Sequence, residues 1–360
     1  MHRFAFMIHP LDISYFARKF PFTRYLPAKF LEKLALHIPP LKTSHITGVR
    51  SPYAETEGWF VACPLTSRQM VTLPEEFVIQ KIISTGRLAE KLGAEILGLG
   101  AMTSVVGDAG VTVARNLDIA VTTGNSYTVA TALEATEKAA AMMGIELPGA
   151  EVAIVGATGS IGAVCAKILA RRCRNLTLVA RNEARLSHLA GEIKDMTGVK
   201  ARTTAYSREA LRRADVIITV TSAVDTVIEA EDLKPGAVVC DVARPRDVSR
   251  RVAEIRDDVL VIDGGVVEVP GNVNFNFNFG YPPGLAYACM AETMILALEG
   301  RMENFTMGRE LTVEQIDTIN RLAAKHGFRV AGFRSFELPV SEARVAAIRE
   351  QARRKLALAR

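Results

Sequence analysis

The chain has 360 residues, 49% of them hydrophobic and 23% charged. That suits two or three domains with a sizeable core and excludes a disordered, collagen-like or coiled-coil chain. The net charge of +5 is uneven: residues 1–50 carry +6 and residues 321–360 carry +7, which leaves −8 for residues 51–320. Basic ends of this kind suit an acidic protein partner, an anionic membrane surface (a peripheral contact) or simply solvated helix faces. With no aromatic-interleaved basic motif, nucleic acid is not an expected partner. Five scattered cysteines without CxxC spacing and six histidines without HExxH argue against a disulfide framework, a zinc site and metal hydrolysis, so a reducing cytoplasm is the expected setting.

In chain order, Phe4–Ile8 reads as a strand and Pro10–Phe20 as a helix. The apolar patch before Pro10 and Asp12 is too short for a signal peptide. Glu75–Leu92 is a long helical pattern stopped by Gly93, and Ile96–Gly100 and Ile119–Thr122 are short strands. Gly98–Gly110 is glycine-rich but lacks a phosphate-loop lysine, so tight turns account for it. Then comes a regular alternation. Glu151–Gly156, Leu176–Ala180, Val216–Val220, Ala237–Asp241 and Leu260–Asp263 are short apolar strands separated by helical segments, the pattern of right-handed βαβ units in a doubly wound parallel sheet. The longest uncharged stretch, Val269–Ala291, holds Pro270, Pro282, Pro283 and four Asn, which excludes a membrane helix. Within it Asn274–Phe279 alternates with period two and sets three phenyl rings on one side, to line a channel or to pack on the core. Pro282-Pro283-Gly284 is expected to open a helix running to about Glu299 and stopped by Gly300, with further helices at Thr312–His326 and Ser341–Ala359. The fold class is therefore α/β: an N-terminal α/β substrate domain (1–148), a Rossmann domain (149–272) and a C-terminal helical segment (273–360) that packs back on the first.

The turn Gly156-Ala-Thr158-Gly159-Ser160-Ile161-Gly162 joins the first strand of the alternation to a helix. Gly156 permits the tight turn, Gly159 lets backbone approach a pyrophosphate, and Gly162 lets the helix pack on the sheet, with the helix N-terminus facing the anion. Where dehydrogenases specific for NAD place an acidic residue at the end of the second strand, this chain has Arg181-Asn182, with Arg185 one turn on. Guanidinium there suits the 2′-phosphate of NADPH. Thr221, after the strand 216–220, and Gly264-Gly265, after Leu260–Asp263, complete the expected cofactor set.

Reduction or oxidation at a nicotinamide needs a protein group to manage a proton or a covalent bond. Lys81, on the helix 75–92, is one candidate, although nothing in the sequence marks an acidic partner. Cys289 is the other, near the start of a helix, where a thiolate is favoured. A cysteine on an apolar helix face is also an ordinary core residue.

From about residue 75 to 330 the motifs resemble the cyanobacterial-type long-chain fatty acyl-[acyl-carrier-protein] reductases. The elements are Leu99-Gly-Ala-Met-Thr-Ser104, Thr122-Thr-Gly-Asn125, Val155-Gly-Ala-Thr-Gly-Ser-Ile-Gly162, Ala180-Arg-Asn182 with Arg185-Leu186, and Gly264-Gly-Val-Val-Glu268. They continue in order through Ala288-Cys289-Met-Ala-Glu292, Glu299-Gly300, Asn304-Phe305, Gly308-Arg309 and His326-Gly327-Phe328. The resemblance implies that Cys289 accepts an acyl group from an acyl-carrier-protein or CoA thioester and that NADPH reduces the enzyme thioester to a fatty aldehyde. Backbone N–H groups, Asn125 or Ser104 would stabilise the oxyanion, though both side chains equally suit loop caps. The chain departs from the family at Ser126-Tyr127, where a His is usual, and over Val269–Pro283. Two further readings are a shikimate- or amino-acid-type dehydrogenase, for which the lysine–aspartate pair is not evident, and a non-enzymatic NADPH- or acyl-binding regulator with Cys289 merely packed.

Overall fold

The computed structural model describes residues 1–358, apart from the side chains of Arg18 and Lys19. The chain is a mixed α/β protein that divides into two compact units, one of residues 1–127 and 266–329, the other of residues 128–265 and 330–360. These bounds differ from the sequence-based segments at 148 and 272. One helix, Asn125–Met143, runs from the end of the first unit into the second, and residues 266–329 return to the unit that holds the N-terminus.

The first unit is built on a six-stranded sheet in the order Gly271–Asn274, Leu41–Arg50, Glu55–Ala62, Arg3–Ile8, Ile96–Leu99, Ala120–Thr122. The two pairings at the Gly271–Asn274 edge are antiparallel and the rest parallel. Phe4, Ala5, Phe6 and Met7 are buried in succession, as a central strand covered on both faces requires. Helix Glu75–Lys91 packs Val78, Ile82, Ile83 and Ala89 into the same core, with Glu75 and Glu76 in its first turn and Lys91 in its last. The expected helix 10–20 is instead a short 3-10 turn, Ile13–Tyr15, and a single turn, Phe16–Lys19: Asp12 caps Ser14 N–H, and Pro21 follows.

Two other elements differ from expectation. Leu285–Tyr287 is a strand paired antiparallel with Val266–Glu268, so the helix begins not at the proline pair but at Ala288, and runs to Glu299 with Gly300 as its left-handed cap. The Asn/Phe run is a strand only over Gly271–Asn274; beyond it, Phe275, Phe277 and Phe279 all gather on Phe60, with ring centroids 5.9, 6.1 and 5.7 Å away.

The second unit is a six-stranded, wholly parallel sheet in the order Leu260–Asp263, Val238–Asp241, Val216–Thr219, Glu151–Val155, Asn175–Val179, Arg202–Thr204. Numbered from Glu151–Val155, that is the doubly wound order, whose switch point lies between Glu151–Val155 and Val216–Thr219, where such sheets bind ligands. Helix Glu342–Leu358 belongs to this unit, buries Val345, Ile348 and Ala352, and places Lys355 2.6 Å from Asp257; Ala359, the expected helix end, lies outside the described residues. Among the described residues no helix is long and apolar enough to cross a membrane.

Candidate active site

The glycine turn sits at the switch point of the second unit. Gly156 adopts φ +84°, and a Cβ there would lie 2.6 Å from Val220 O, so only glycine lets this turn pass under the end of Val216–Thr219. A Cβ on Gly162 would strike Gly156 O at 2.3 Å, which explains the third glycine as a packing requirement. Gly159 is different: a Cβ there would meet only Gly156 O, at 3.3 Å, so its exposed backbone is bare on the outer side. Gly159 is also the N-cap of helix Ser160–Leu169 and offers it no side-chain cap, leaving the positive end of that helix for an anion. Thr158, Ser160 and Ile161 are half-buried around it. The residues present fit a dinucleotide pyrophosphate.

Beyond strand Asn175–Val179, Arg181 and Arg185 are exposed, whereas Asn182 caps helix Glu183–Thr197 by accepting from Arg185 N–H at 3.0 Å. Thr221 donates its hydroxyl and its N–H to the buried Asp247 and accepts from Ala223 N–H, so its polar groups are held within the protein. Gly264 answers to packing as well, since a Cβ there would lie 2.6 Å from Val242 Cγ2, and Gly265 has φ +72°.

Asp241, beside Asp247, accepts from Ala243 and Val248 N–H, each at 3.1 Å. Burial pushes its carboxyl from an ordinary 3.8 up to about 7, against the opposing pull of Arg244. A carboxyl whose folded value lies above its unfolded one holds its proton more tightly in the folded state. Its contribution is therefore fully present below pH 3.8 and is lost as pH rises to about 7. Wild-type protein is expected to lose up to about 4 kcal/mol relative to Asp241→Asn across that range, measured as the difference in urea unfolding free energy at each pH.

Of the five cysteines, Cys63 and Cys289 lie in the first unit and Cys165, Cys173 and Cys240 in the second. Burial raises the thiols of Cys63 and Cys173 to about 11, that of Cys240 to about 12 and that of Cys165 further still, which leaves them inert as nucleophiles. Cys289 alone among the five is half-exposed. The later start of its helix makes it the second helical residue, inside the first turn rather than one to two turns along. The aligned N–H dipoles there favour negative charge on the sulfur.

The turn Thr122–Asn125 is pressed against this cysteine. Gly124 has φ +74°, and a Cβ on it would lie 2.3 Å from Cys289 Cα. Glu292, one turn along from Cys289 and fully buried, holds the two together: its carboxylate accepts from Thr122 Oγ1 at 2.5 Å, Thr306 Oγ1 at 2.7 Å and Tyr127 N–H at 2.9 Å. Burial pushes its carboxyl above the usual range, and these donors pull it back. Ser126 Oγ meets Thr306 Oγ1 at 2.8 Å and extends this network, whereas Tyr127 contributes only its backbone N–H. Thr123 Oγ1 is buried without a hydrogen-bond partner beside Gly124. Asn125, the first residue of its helix, is buried next to the same turn.

Two expected site residues are engaged elsewhere. Lys81 donates to Ile38 O at 3.2 Å and lies over the Phe77 ring, while Ser104 donates to Ala101 O at 2.7 Å within the 3-10 turn Ala101–Ser104. Sequence reasoning missed Glu292, Thr122 and Thr306. Its signal was the Cys-x-x-Glu spacing, which sets both side chains one turn apart on the same helix.

Residues 137–263 match the family model described as shikimate / quinate 5-dehydrogenase. The chain is 33% identical over 316 residues to the aminotransferase PigE of Serratia sp. (strain ATCC 39006), a match that covers 86% of this chain but only 36% of that protein, so the chain spans about a third of that relative's length. A solved glutamyl-tRNA reductase from Methanopyrus kandleri aligns over 81% of this chain and 59% of its own, at 17% identity and a TM-score of 0.31. The long-chain acyl-[acyl-carrier-protein] reductase of Synechococcus elongatus (strain ATCC 33912 / PCC 7942 / FACHB-805) is 30% identical over 314 residues, 81% of this chain and 87% of that protein. With 87% of that relative covered at 30% identity, the chain belongs to the family of the long-chain acyl-[acyl-carrier-protein] reductase.

Proposed function

We propose that the protein is an NADPH-dependent reductase that converts a fatty acyl thioester, on acyl-carrier protein or CoA, to a fatty aldehyde through an acyl group on Cys289. The observation that carries this reading is the placement of Cys289, the one half-exposed thiol, in the first turn of its helix and against the Gly124 turn. The Cys289 thiolate attacks the thioester carbonyl; the new Sγ–C bond forms as the carrier's C–S bond breaks, and the carrier leaves as a thiol after taking a proton. The first-turn N–H groups stabilise the oxyanion, with Asn125 and the buried Thr123 hydroxyl as neighbouring donors. Glu292 acts on the same step indirectly, by fixing the Gly124 turn against the cysteine.

Backbone at Gly156–Gly162 would hold the pyrophosphate of NADPH, and Arg181 and Arg185 its 2′-phosphate. When bound, the cofactor supplies the hydride; as the aldehyde forms, the Cys289 Sγ–C bond breaks and the sulfur leaves as the thiolate. Arg181→Glu is expected to weaken NADPH binding about tenfold to a hundredfold and to leave NADH binding within a few-fold, read by titrating nicotinamide fluorescence. Five cysteines outside any disulfide suit a reducing cytoplasm.

The shikimate-type match favours a dehydrogenase of polar hydroxy acids only for the nucleotide-binding half, because it ends at residue 263, before Cys289. Product analysis separates the two readings. Hexadecanoyl thioester with NADPH should yield hexadecanal in amounts equal to the NADPH consumed. NADP⁺ reduction by a polar hydroxy or amino acid, with no aldehyde from the thioester, would overturn the reading.

A further inference from the structure

We propose that residues 22–34 form a docking face for an anionic lipid surface. The sequence from Phe16 to Leu36 carries five Lys/Arg and one acidic residue, a net +4 over 21 positions. The helix Ala28–Ala35 buries Leu31 and Ala35, and Gln69 Nε2 anchors it by donating to Glu32 O at 2.7 Å. Its apolar face, however, is wider than the part it buries. Phe30 and Leu34, spaced i, i+4 on the adjoining stripe, are 54% and 40% exposed, and on the 3-10 segment just before, Phe22 and Tyr25 are 63% and 80% exposed. A core-facing helix would bury such rings. Lys29 and Lys33 form the next exposed stripe around the same helix, and Arg24 lies exposed over the Tyr25 ring, 5.8 Å from its centroid.

Large apolar side chains bordered by cations on one short amphipathic segment match the boundary between lipid headgroups and acyl chains: the rings enter the apolar layer and the cations meet lipid phosphates. Attraction between charges does not account for the four exposed apolar side chains, which a segment lying in the headgroup boundary buries among the acyl chains. Charge and apolarity together therefore favour lipid. The inference does not depend on what Cys289 does.

The test is flotation of the full chain with vesicles of phosphatidylcholine alone and of equimolar phosphatidylcholine and phosphatidylglycerol. Binding should be about a hundredfold tighter to the anionic vesicles, from three cations near the surface, and should fall steeply with salt. Lys29→Glu/Lys33→Glu should abolish the preference. Phe30→Ser/Leu34→Ser, at exposed positions, should weaken anionic binding at least about tenfold with an unchanged melting temperature. Acyl transfer to Cys289 measured in solution should not change in either variant, which keeps this test separate from that of the catalytic reading. Equal binding to both vesicles, or anionic binding indifferent to both double variants, would overturn the proposal. So would loss of a complex with acyl-carrier protein, or of self-association, in variants of a protein that binds neither vesicle.

Discussion

Replacing Cys289 with serine is expected to lower NADPH-dependent aldehyde formation at least ~10³-fold, because turnover then lacks its covalent step. The serine hydroxyl is ionised far less readily than a thiol in the same helix turn, and an oxygen ester is a poorer hydride acceptor than a thioester. NADPH affinity should stay within about twofold, since Arg181, Arg185 and the Gly156–Gly162 turn belong to the other unit of the chain. That split between lost turnover and kept cofactor binding is the signature to look for in steady-state rates alongside a fluorescence titration. Equal changes to Cys63 or Cys173, which are buried and held protonated, should leave chemistry alone and act through packing only.

The second large effect is at Glu292. Its carboxylate satisfies Thr122 Oγ1, Thr306 Oγ1 and Tyr127 N–H in a site with no exposed surface. Glu292→Ala leaves those donors facing a void and should cost about 3–5 kcal/mol, a fall of about 5–10 °C in melting temperature. Glu292→Gln keeps one acceptor oxygen but turns an amide toward a donor, so it should cost less and leave the protein folded. In that variant the rate of acyl transfer to Cys289 should fall with the Gly124 turn no longer fixed, while NADPH binding holds. A purely structural glutamate would move the melting temperature and not the acylation rate.

Five of the six parallel strands of the second unit were legible as short, largely buried apolar runs, such as Val152-Ala-Ile-Val155. The hairpin Leu41–Arg50/Glu55–Ala62 was not legible. Its register shifts at Lys42/Ser44 and Ile46/Val49 break the alternation that would have marked it. Arg202–Thr204, three polar residues at a sheet edge, carries no apolar signal at all. The start of the Cys289 helix was misplaced because Pro282-Pro283 is a strong local signal, and pairing of Leu285–Tyr287 with Val266–Glu268 overrides it. For the site, Cys289 and the glycine turn stand out as local motifs. The role of Glu292 does not, because Thr122 and Tyr127 lie 170 and 165 positions away and only the fold brings them to it. Lys81 looked catalytic by residue type, and only its bonds to Ile38 O and the Phe77 ring reveal what it does.

The claim on which the rest stands is that the Cys289 sulfur takes the acyl group. Intact-mass measurement after mixing the protein with hexadecanoyl-acyl-carrier protein or hexadecanoyl-CoA, with no nicotinamide cofactor added, tests it most directly. The account predicts one hexadecanoyl adduct per chain, located on the peptide that holds Cys289 and absent from Cys289→Ser. An unmodified wild-type mass under conditions in which the same preparation makes aldehyde, or an adduct that persists in Cys289→Ser, would contradict it.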